Sequence, residues 1–342
     1  MLIIAGIGFN SFAEDKIKKI ILSGADILRF NFSYGSIEAN VNNIKIAQEA
    51  IDELHSECKI MIDMPLNKVR LGDFDIKMFA VREKEEFIFK SASYSNDCNQ
   101  FIPVQIQKLG EKVRVNQLIT HGDGEIALHV KEIIDTDTIK CEILNNGVIQ
   151  YMKTFNITNR LDENNVINDY KKIFEAVKDL SISYCAVSYF GEETNKNIRE
   201  LVKKEIGSKT KIMLKIEDQI AVDNIEAICQ DESYRYVLLD RGEIGVNVPF
   251  EKIGLIQRNI INTAKKYKRL ILVSTQILES TINNYIPYRA EIINLTDMVL
   301  DGVNGIMLCQ ETTMGLRPAY SISVAKKIID EALKYERSRS KS

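Results

Sequence analysis

Residues 211–218 read KIMLKIED. Ile212, Leu214 and Ile216 share one face of a period-two pattern, while Met213, Lys215 and Glu217 share the other. A short run with apolar residues on both faces is the pattern of a strand covered on both sides, as in a parallel sheet. Lys215 and Glu217 then point the same way from a covered strand. Such charges are costly unless they are paired, bound to a metal or close to water. Two readings stay open for this stretch, a structural Lys215–Glu217 pair at a strand end and a catalytic pair.

The segments on either side repeat the alternation of strand and helix. Downstream, a helix over 222–229, a strand over 236–240, a helix over 250–267, a strand over 269–274, a helix over 289–300, a strand over 304–308 and a helix over 318–336 follow. Upstream lie a helix over 168–179, a strand over 184–189 and a helix over 194–205. The chain opens with strand 2–8 (LIIAGIG), helix 13–22, strand 26–33 (DILRFNFS), helix 36–54 and strand 59–63 (KIMID). From about Leu71 to Leu161 the alternation gives way to short β-rich pieces, punctuated by HGDG at 121–124 and NNG at 145–147, which read as turns. The predicted organisation is a (β/α)8 TIM barrel from residues 1–70 and 162–342, with a small β-barrel domain, residues 71–161, inserted after the third strand. On pattern alone an open doubly wound sheet remains the rival.

Bulk composition narrows the function classes. The chain has 342 residues, 45% hydrophobic and 27% charged, which suits one large domain with a smaller insert. A net charge of −3 offers no electrostatic reason to expect nucleic acid or an anionic membrane as partner. The six cysteines form no CxxC pair, and none of the three histidines stands at metal-ligand spacing from a cysteine; reduced thiols and a cytoplasmic location are expected. MLIIAGIGFN has neither a basic flank nor a small-residue cleavage site, so it reads as a strand and not a signal peptide. No apolar run reaches about eighteen residues, so no membrane span is expected.

In a barrel of this kind chemistry sits at the C-terminal ends of the strands. Those ends carry Arg29, Asn31 and Ser33; Asp63; Ser188; Lys215 and Glu217; Arg241-Gly242-Glu243; Ser274-Thr275-Gln276; and Gln310-Glu311-Thr312. Glu217 and Glu243 offer two hard oxygen ligands, suited to Mg2+ or a similar divalent ion that keeps waters and takes oxygens from a substrate. Arg29 and Lys215 are cations of the kind that hold a phosphoryl group. Asn31, Ser33 and Asp63 supply oxygens for part of a monovalent-cation site, next to Met64. The set points to an anionic, phosphorylated substrate.

These residues lie in stretches by which the chain resembles the pyruvate kinase family: GADILRFNFSYGS (24–36), KIMLKIED (211–218), DRGEIGVNVPFEKIGLIQR (240–258), STQILEST (274–281), PYRAEIINLTDMVLDGVNGIML (287–308) and ETTMGLRP (311–318). The resemblance covers nearly all of the chain. It implies a closed barrel with an inserted lid, and transfer of a phosphoryl group between phosphoenolpyruvate and ADP or another nucleoside diphosphate, giving pyruvate and the triphosphate with Mg2+ or Mn2+. It implies Glu217 and Glu243 as metal ligands, the second being aspartate in typical members. Lys215 would stabilise the phosphoryl group, Arg29 would grip it, and Thr275 would sit near the carbon that becomes the methyl group of pyruvate. Backbone amides of Arg241, Gly242 and Glu243 would meet the carboxylate. Lys153 matches the lid lysine that reaches the nucleotide phosphates, and Asn31 and Tyr34 lie on the nucleotide side.

Asn31, Ser33, Asp63 and Met64 match the potassium region of the family, but Lys68 stands where potassium-dependent members have glutamate, while Arg70 is kept. A tethered ammonium can replace the ion's charge, so no requirement for K+ is expected. Other positions depart from the family pattern: Gly6, Phe9, Tyr34, the stretch Pro65-Leu66-Asn67, Gly191 and Cys309-Gln310. The phosphoenolpyruvate half of the site is better kept than the nucleotide half. Typical members continue into a C-terminal effector domain, and this chain, ending in ERSRSKS, is expected to lack it and the allostery it supports. Alternatives remain: another phosphoryl acceptor, lyase or decarboxylase chemistry on a 2-oxoacid, or a non-catalytic paralogue. Retention of Lys153 weighs against the lyase, and that of Lys215 and Glu217 against the paralogue. A homodimer through barrel helices is left open.

Overall fold

Eight parallel strands close into a barrel: β1 (Leu2–Ile7), β2 (Ile27–Asn31), β3 (Lys59–Asp63), β4 (Tyr184–Ser188), β5 (Lys211–Ile216), β6 (Tyr236–Asp240), β7 (Leu270–Ser274) and β8 (Gly305–Leu308). Each neighbours the next in sequence, and β8 pairs β1, with Leu2 opposite Gly305. The doubly wound alternative is thereby excluded, and the fold is a TIM barrel. The computed structural model describes all residues except 67, 123, 158–162 and 340–342, and the side chains of 163–165 are also left aside. Asn67, Asp123 of the HGDG turn and the end of the basic tail therefore lie outside the described residues, as does the expected domain boundary at 161–162.

The barrel interior is filled by alternate residues of the strands, among them Ile4, Ile27, Met61, Ala186, Met213, Leu238, Leu272 and Met307. Residues of opposite parity, such as Phe30 and Leu239, are also buried. Apolar residues on both faces of each strand are what a helix-jacketed sheet demands. Local signals stop the elements where the site needs them. Ser36 caps helix Ile37–Glu53 by accepting the Ala39 N–H at 3.1 Å. Asp218 accepts the Ala221 N–H at 2.8 Å, starting helix Gln219–Asp223 directly after β5. Lys215 and Glu217 are thus left at the strand's C-terminal end. The helix expected over 222–229 is instead two short ones, Gln219–Asp223 and Ile225–Gln230. They part at Asn224, whose side chain takes the Ile220 carbonyl at 2.8 Å.

The chain divides into two compact units, 1–66 with 163–244 and 251–342, and 67–162 with 245–250. In the second unit six strands run in the order Phe155–Asn156, Leu118–His121, Ile126–Ile133, Thr138–Ile143, Glu86–Ser91 and Ile102–Val104. Residues 69–71 bond to both edges of this sheet: Arg70 bridges Thr154, Leu71 bridges Val104, and Val69 O accepts from Phe155 N. The sheet is closed through this segment around a core that includes Phe74, Phe89, Leu128, Ile139 and Phe155.

Candidate active site

Four ionisable side chains converge at the C-terminal ends of β2, β3 and β5. Asp63 is their hub. Its Oδ2 accepts from Arg29 Nε at 2.8 Å and Nη2 at 2.5 Å, and its Oδ1 lies 3.1 Å from Lys215 Nζ. Lys215 also reaches Glu217 Oε2 at 3.3 Å and donates to the Met64 carbonyl at 3.1 Å. These groups are deeply buried, with Asp63 and Glu217 each 2% exposed, Lys215 5% and Arg29 9%. At such burial each charge requires its partner. Burial alone would raise the Asp63 carboxyl, but Lys215 and Arg29 outweigh it and hold it below its ordinary value. Burial would lower the Lys215 ammonium, yet Asp63 and Glu217 hold it above its usual range. Arg29 is likewise held up, chiefly by Asp63 against its own burial.

Glu217 behaves differently. Burial pushes its carboxyl up to about 7, with Lys215 opposing and the like charges of Glu243 and Asp240 adding to the rise. The like charges of Glu243 and Asp240 therefore act on Glu217 together, offset by Lys215 and, more weakly, by a hydrogen bond with Ser188. Among the described residues no group of three or more His, Cys, Asp and Glu is arranged to hold a metal. Glu217 and Glu243 by themselves form no closed cage, and a cation held by them would draw its remaining oxygens from elsewhere.

The ends of β6 and β7 build the opposite wall. Arg241 donates from Nε to the carbonyls of Ser274 at 3.2 Å and Thr275 at 3.0 Å, from Nη2 to Gln276 O at 2.9 Å, and from Nη1 to Asn294 Oδ1 at 2.8 Å. This fork holds Thr275 and Gln276 in the left-handed region, at φ 68° and 53°. That conformation is strained for a β-branched threonine and persists only where surroundings impose it. The Thr275 hydroxyl donates to Asp240 Oδ1 at 3.0 Å, and Gly242 N–H donates to the same oxygen at 3.1 Å. A Cβ on Gly242 would lie 3.1 Å from Thr275 Cγ2, so glycine permits this approach.

Other expected residues take varied places. Asn31 Oδ1 accepts the Ser33 N–H at 3.0 Å. Tyr34 is exposed, and Met64 is buried beside Asp63. Glu311 accepts backbone N–H groups of Leu278 at 2.9 Å and Cys309 at 2.8 Å, which makes it an anchor for the β7 and β8 loops. Lys68 and Lys153 belong to the second unit, where Lys153 Nζ pairs with Glu125 Oε1 at 2.6 Å. His121, also there, accepts the Gln150 N–H at Nε2 and faces the Thr154 carbonyl through Nδ1, a structural role in keeping with the turn reading of HGDG.

Asp240 is absent from the sequence-derived set, although it closes β6 and the rule that found Asp63 on β3 applies to it equally. Tyr170, on helix Glu163–Val177, is also missed. It is fully buried, next to Ser188 and within the electrostatic reach of Lys215 and Glu217. No strand-end rule could find it, because it comes from a helix.

Comparison with known proteins bears on this arrangement. Residues 1–322 match the family model described as pyruvate kinase, barrel domain. The chain is similar to the pyruvate kinase of Buchnera aphidicola subsp. Schizaphis graminum, with 31% identity over 335 residues, 95% of this chain and 68% of that protein. It is similar to the pyruvate kinase of Thermococcus litoralis, with 27% identity over 98% of this chain and 70% of that one. A third relative, the pyruvate kinase of Thermoplasma acidophilum, is 28% identical over 96% of this chain and 57% of its own length.

Proposed function

The chain belongs to the pyruvate kinase family and is a phosphotransferase, and from that premise we propose that it moves a phosphoryl group between phosphoenolpyruvate and ADP or another nucleoside diphosphate, yielding pyruvate and the triphosphate. The observation that carries this reading is the buried Lys215 ammonium, held between Asp63 and Glu217 with the Arg29 guanidinium on the far side of Asp63. Two fixed cations in a water-poor site suit a transferring group whose charge is spread over its oxygens.

In this reading Arg29 grips the phosphoryl group and Lys215 stabilises it in flight, while Asp63 sets the position and charge of both. Glu217 and Glu243 would hold Mg2+ or Mn2+. The crowding of like charge at Glu217 supports that assignment, since a divalent cation would relieve it. When bound, such an ion would supply Lewis-acid chemistry, neutralising part of the substrate's charge. The amides of Arg241, Gly242 and Glu243 are assigned to the substrate carboxylate, Thr275 to the carbon that becomes the methyl group, and Lys153, Asn31 and Tyr34 to the nucleotide. Lys68 is assigned the charge that K+ supplies elsewhere in the family, and Asn31, Ser33, Asp63 and Met64 are assigned to the monovalent-cation region. A cytoplasmic location follows from the same reading; no helix among the described residues is long and apolar enough to cross a membrane.

The test is pyruvate release from phosphoenolpyruvate with Mg2+, coupled to lactate dehydrogenase, comparing ADP, GDP and no nucleotide. Nucleotide-dependent release that Lys215→Met abolishes supports the proposal. Release that is indifferent to nucleotide or to Lys215 removes it.

A further inference from the structure

Asp240 stands among the groups assigned to the substrate without a role of its own. Its Oδ1 accepts from the Thr275 hydroxyl at 3.0 Å and from the Gly242 N–H at 3.1 Å. Of these donors, the Gly242 amide is assigned above to the substrate's carboxylate and Thr275 to the neighbouring carbon that becomes the methyl group. A carboxylate oxygen of the protein therefore already holds them.

Two further observations make this contact more than an ordinary turn. The donors are held toward one acceptor: the Arg241 fork fixes Thr275 and Gln276 at positive φ, and glycine at 242 lets Thr275 approach, since a Cβ there would lie 3.1 Å from Thr275 Cγ2 and 3.2 Å from its hydroxyl oxygen. The charge of Asp240 also reaches Arg29, Lys215, Glu217 and Cys309, residues on three other strands or their ends, so it acts on the site as a whole. An incoming carboxylate competes for the same O–H and N–H donors, and two carboxylates in one site repel each other.

We infer that Asp240 is a specificity-determining residue, a resident competitor that occupies the carboxylate-binding donors and must release them before an anionic substrate seats. This rests on the assignment of that end of the site given under the proposed function. Its consequence is weak ground-state binding of ligands that carry a carboxylate there. Mono-anionic and neutral ligands suffer less.

The experiment measures oxalate binding with Mg2+ by calorimetry for the wild-type protein, Asp240→Asn and Asp240→Ala, together with KM and kcat for phosphoenolpyruvate. Asn keeps an acceptor oxygen for Thr275 and Gly242 but removes the charge; Ala removes both. The inference expects oxalate to bind roughly tenfold tighter or more in each variant, with KM falling by more than kcat changes. A purely structural Asp240 gives the opposite sign, weaker binding in the alanine variant with rescue by asparagine, and overturns it. Unchanged affinity in both variants overturns it too. If the wild-type protein and both variants melt cooperatively yet bind no oxalate and release no pyruvate, the functional reading itself fails and the inference falls with it, an outcome visible in the wild-type protein alone.

Discussion

Lys215 Nζ lies 3.1 Å from Asp63 Oδ1 although β4 separates their strands in the barrel. The rung of β4 level with Asp63 is Ala186, and the one level with Lys215 is Ser188, both small. A long lysine can thus cross an intervening strand. The contact ties the phosphoryl-binding candidates Arg29 and Lys215 to one carboxylate.

Replacing Lys215 by methionine removes a buried cation from both Asp63, which keeps Arg29, and Glu217. Loss of one member of a buried pair costs about 3–5 kcal/mol, and loss of a charge aimed at the transferring group costs about a hundredfold or more in turnover. Chemical denaturation and the coupled assay read the two effects. A variant as stable and as active as the wild type would refute both roles.

The Glu217 carboxyl is raised by burial to about 7 from an ordinary 4.5. A carboxyl raised on folding contributes stability that is fully present below about 4.5 and is lost as pH rises through about 7. The native state holds that proton after the unfolded chain has released it. Glu217→Gln is therefore expected to remove a fall of about 2.5 kcal/mol between pH 5 and pH 8 in metal-free protein. Urea midpoints of the two proteins across that window provide the check, and parallel curves would contradict it.

In the second unit, burial pushes His121 down to about 4. For a base lowered on folding the sign is reversed: the contribution is present above about 6.5 and lost as pH falls toward 4, because the unfolded chain takes the proton first. Acidification should therefore loosen this unit, and NMR titration of the His121 ring should give a midpoint near 4. A midpoint near 6.5 would mean that the ring is not buried as the structure has it.

Arg241→Lys retains the charge but not the planar fork that serves the carbonyls of Ser274, Thr275 and Gln276. The expected cost is about 2 kcal/mol of stability, with a fall in kcat as Thr275 relaxes from its strained conformation. Equal stability and kcat in the lysine variant would show that Thr275 is held by something else.

Lys68, if it supplies the missing cation's charge, makes turnover indifferent to K+. At fixed ionic strength, rates in potassium and tetramethylammonium salts should agree, and Lys68→Glu should create a potassium requirement. A steep rise with K+ in the wild-type protein would remove the assignment.

Much of this is legible in the sequence, and the gaps have physical causes. The barrel strands show because burial on both faces leaves runs such as LIIAGI and YVLLD, and β3 and β6 match their expected bounds of 59–63 and 236–240. The convergence of Arg29, Lys215 and Glu217 is legible because strand ends collect chemistry. Their common dependence on Asp63 is not, since a contact across β4 depends on side-chain length and on small residues at Ala186 and Ser188, which a strand pattern does not encode. Asp240 is hidden by its position, directly before the Arg241-Gly242-Glu243 run that draws the eye. Tyr170 is hidden because it enters from a helix. The split at Asn224 escapes because helical periodicity carries no record of a side chain capturing a backbone carbonyl.

The most direct test of the central claim is phosphoenolpyruvate-dependent pyruvate release with Mg2+, with and without ADP, in the wild-type protein and in Lys215→Met. The account predicts release that requires both ADP and the metal and disappears in the variant. A wild-type protein that stays folded, binds Mg2+ and releases no pyruvate with any nucleoside diphosphate would contradict it.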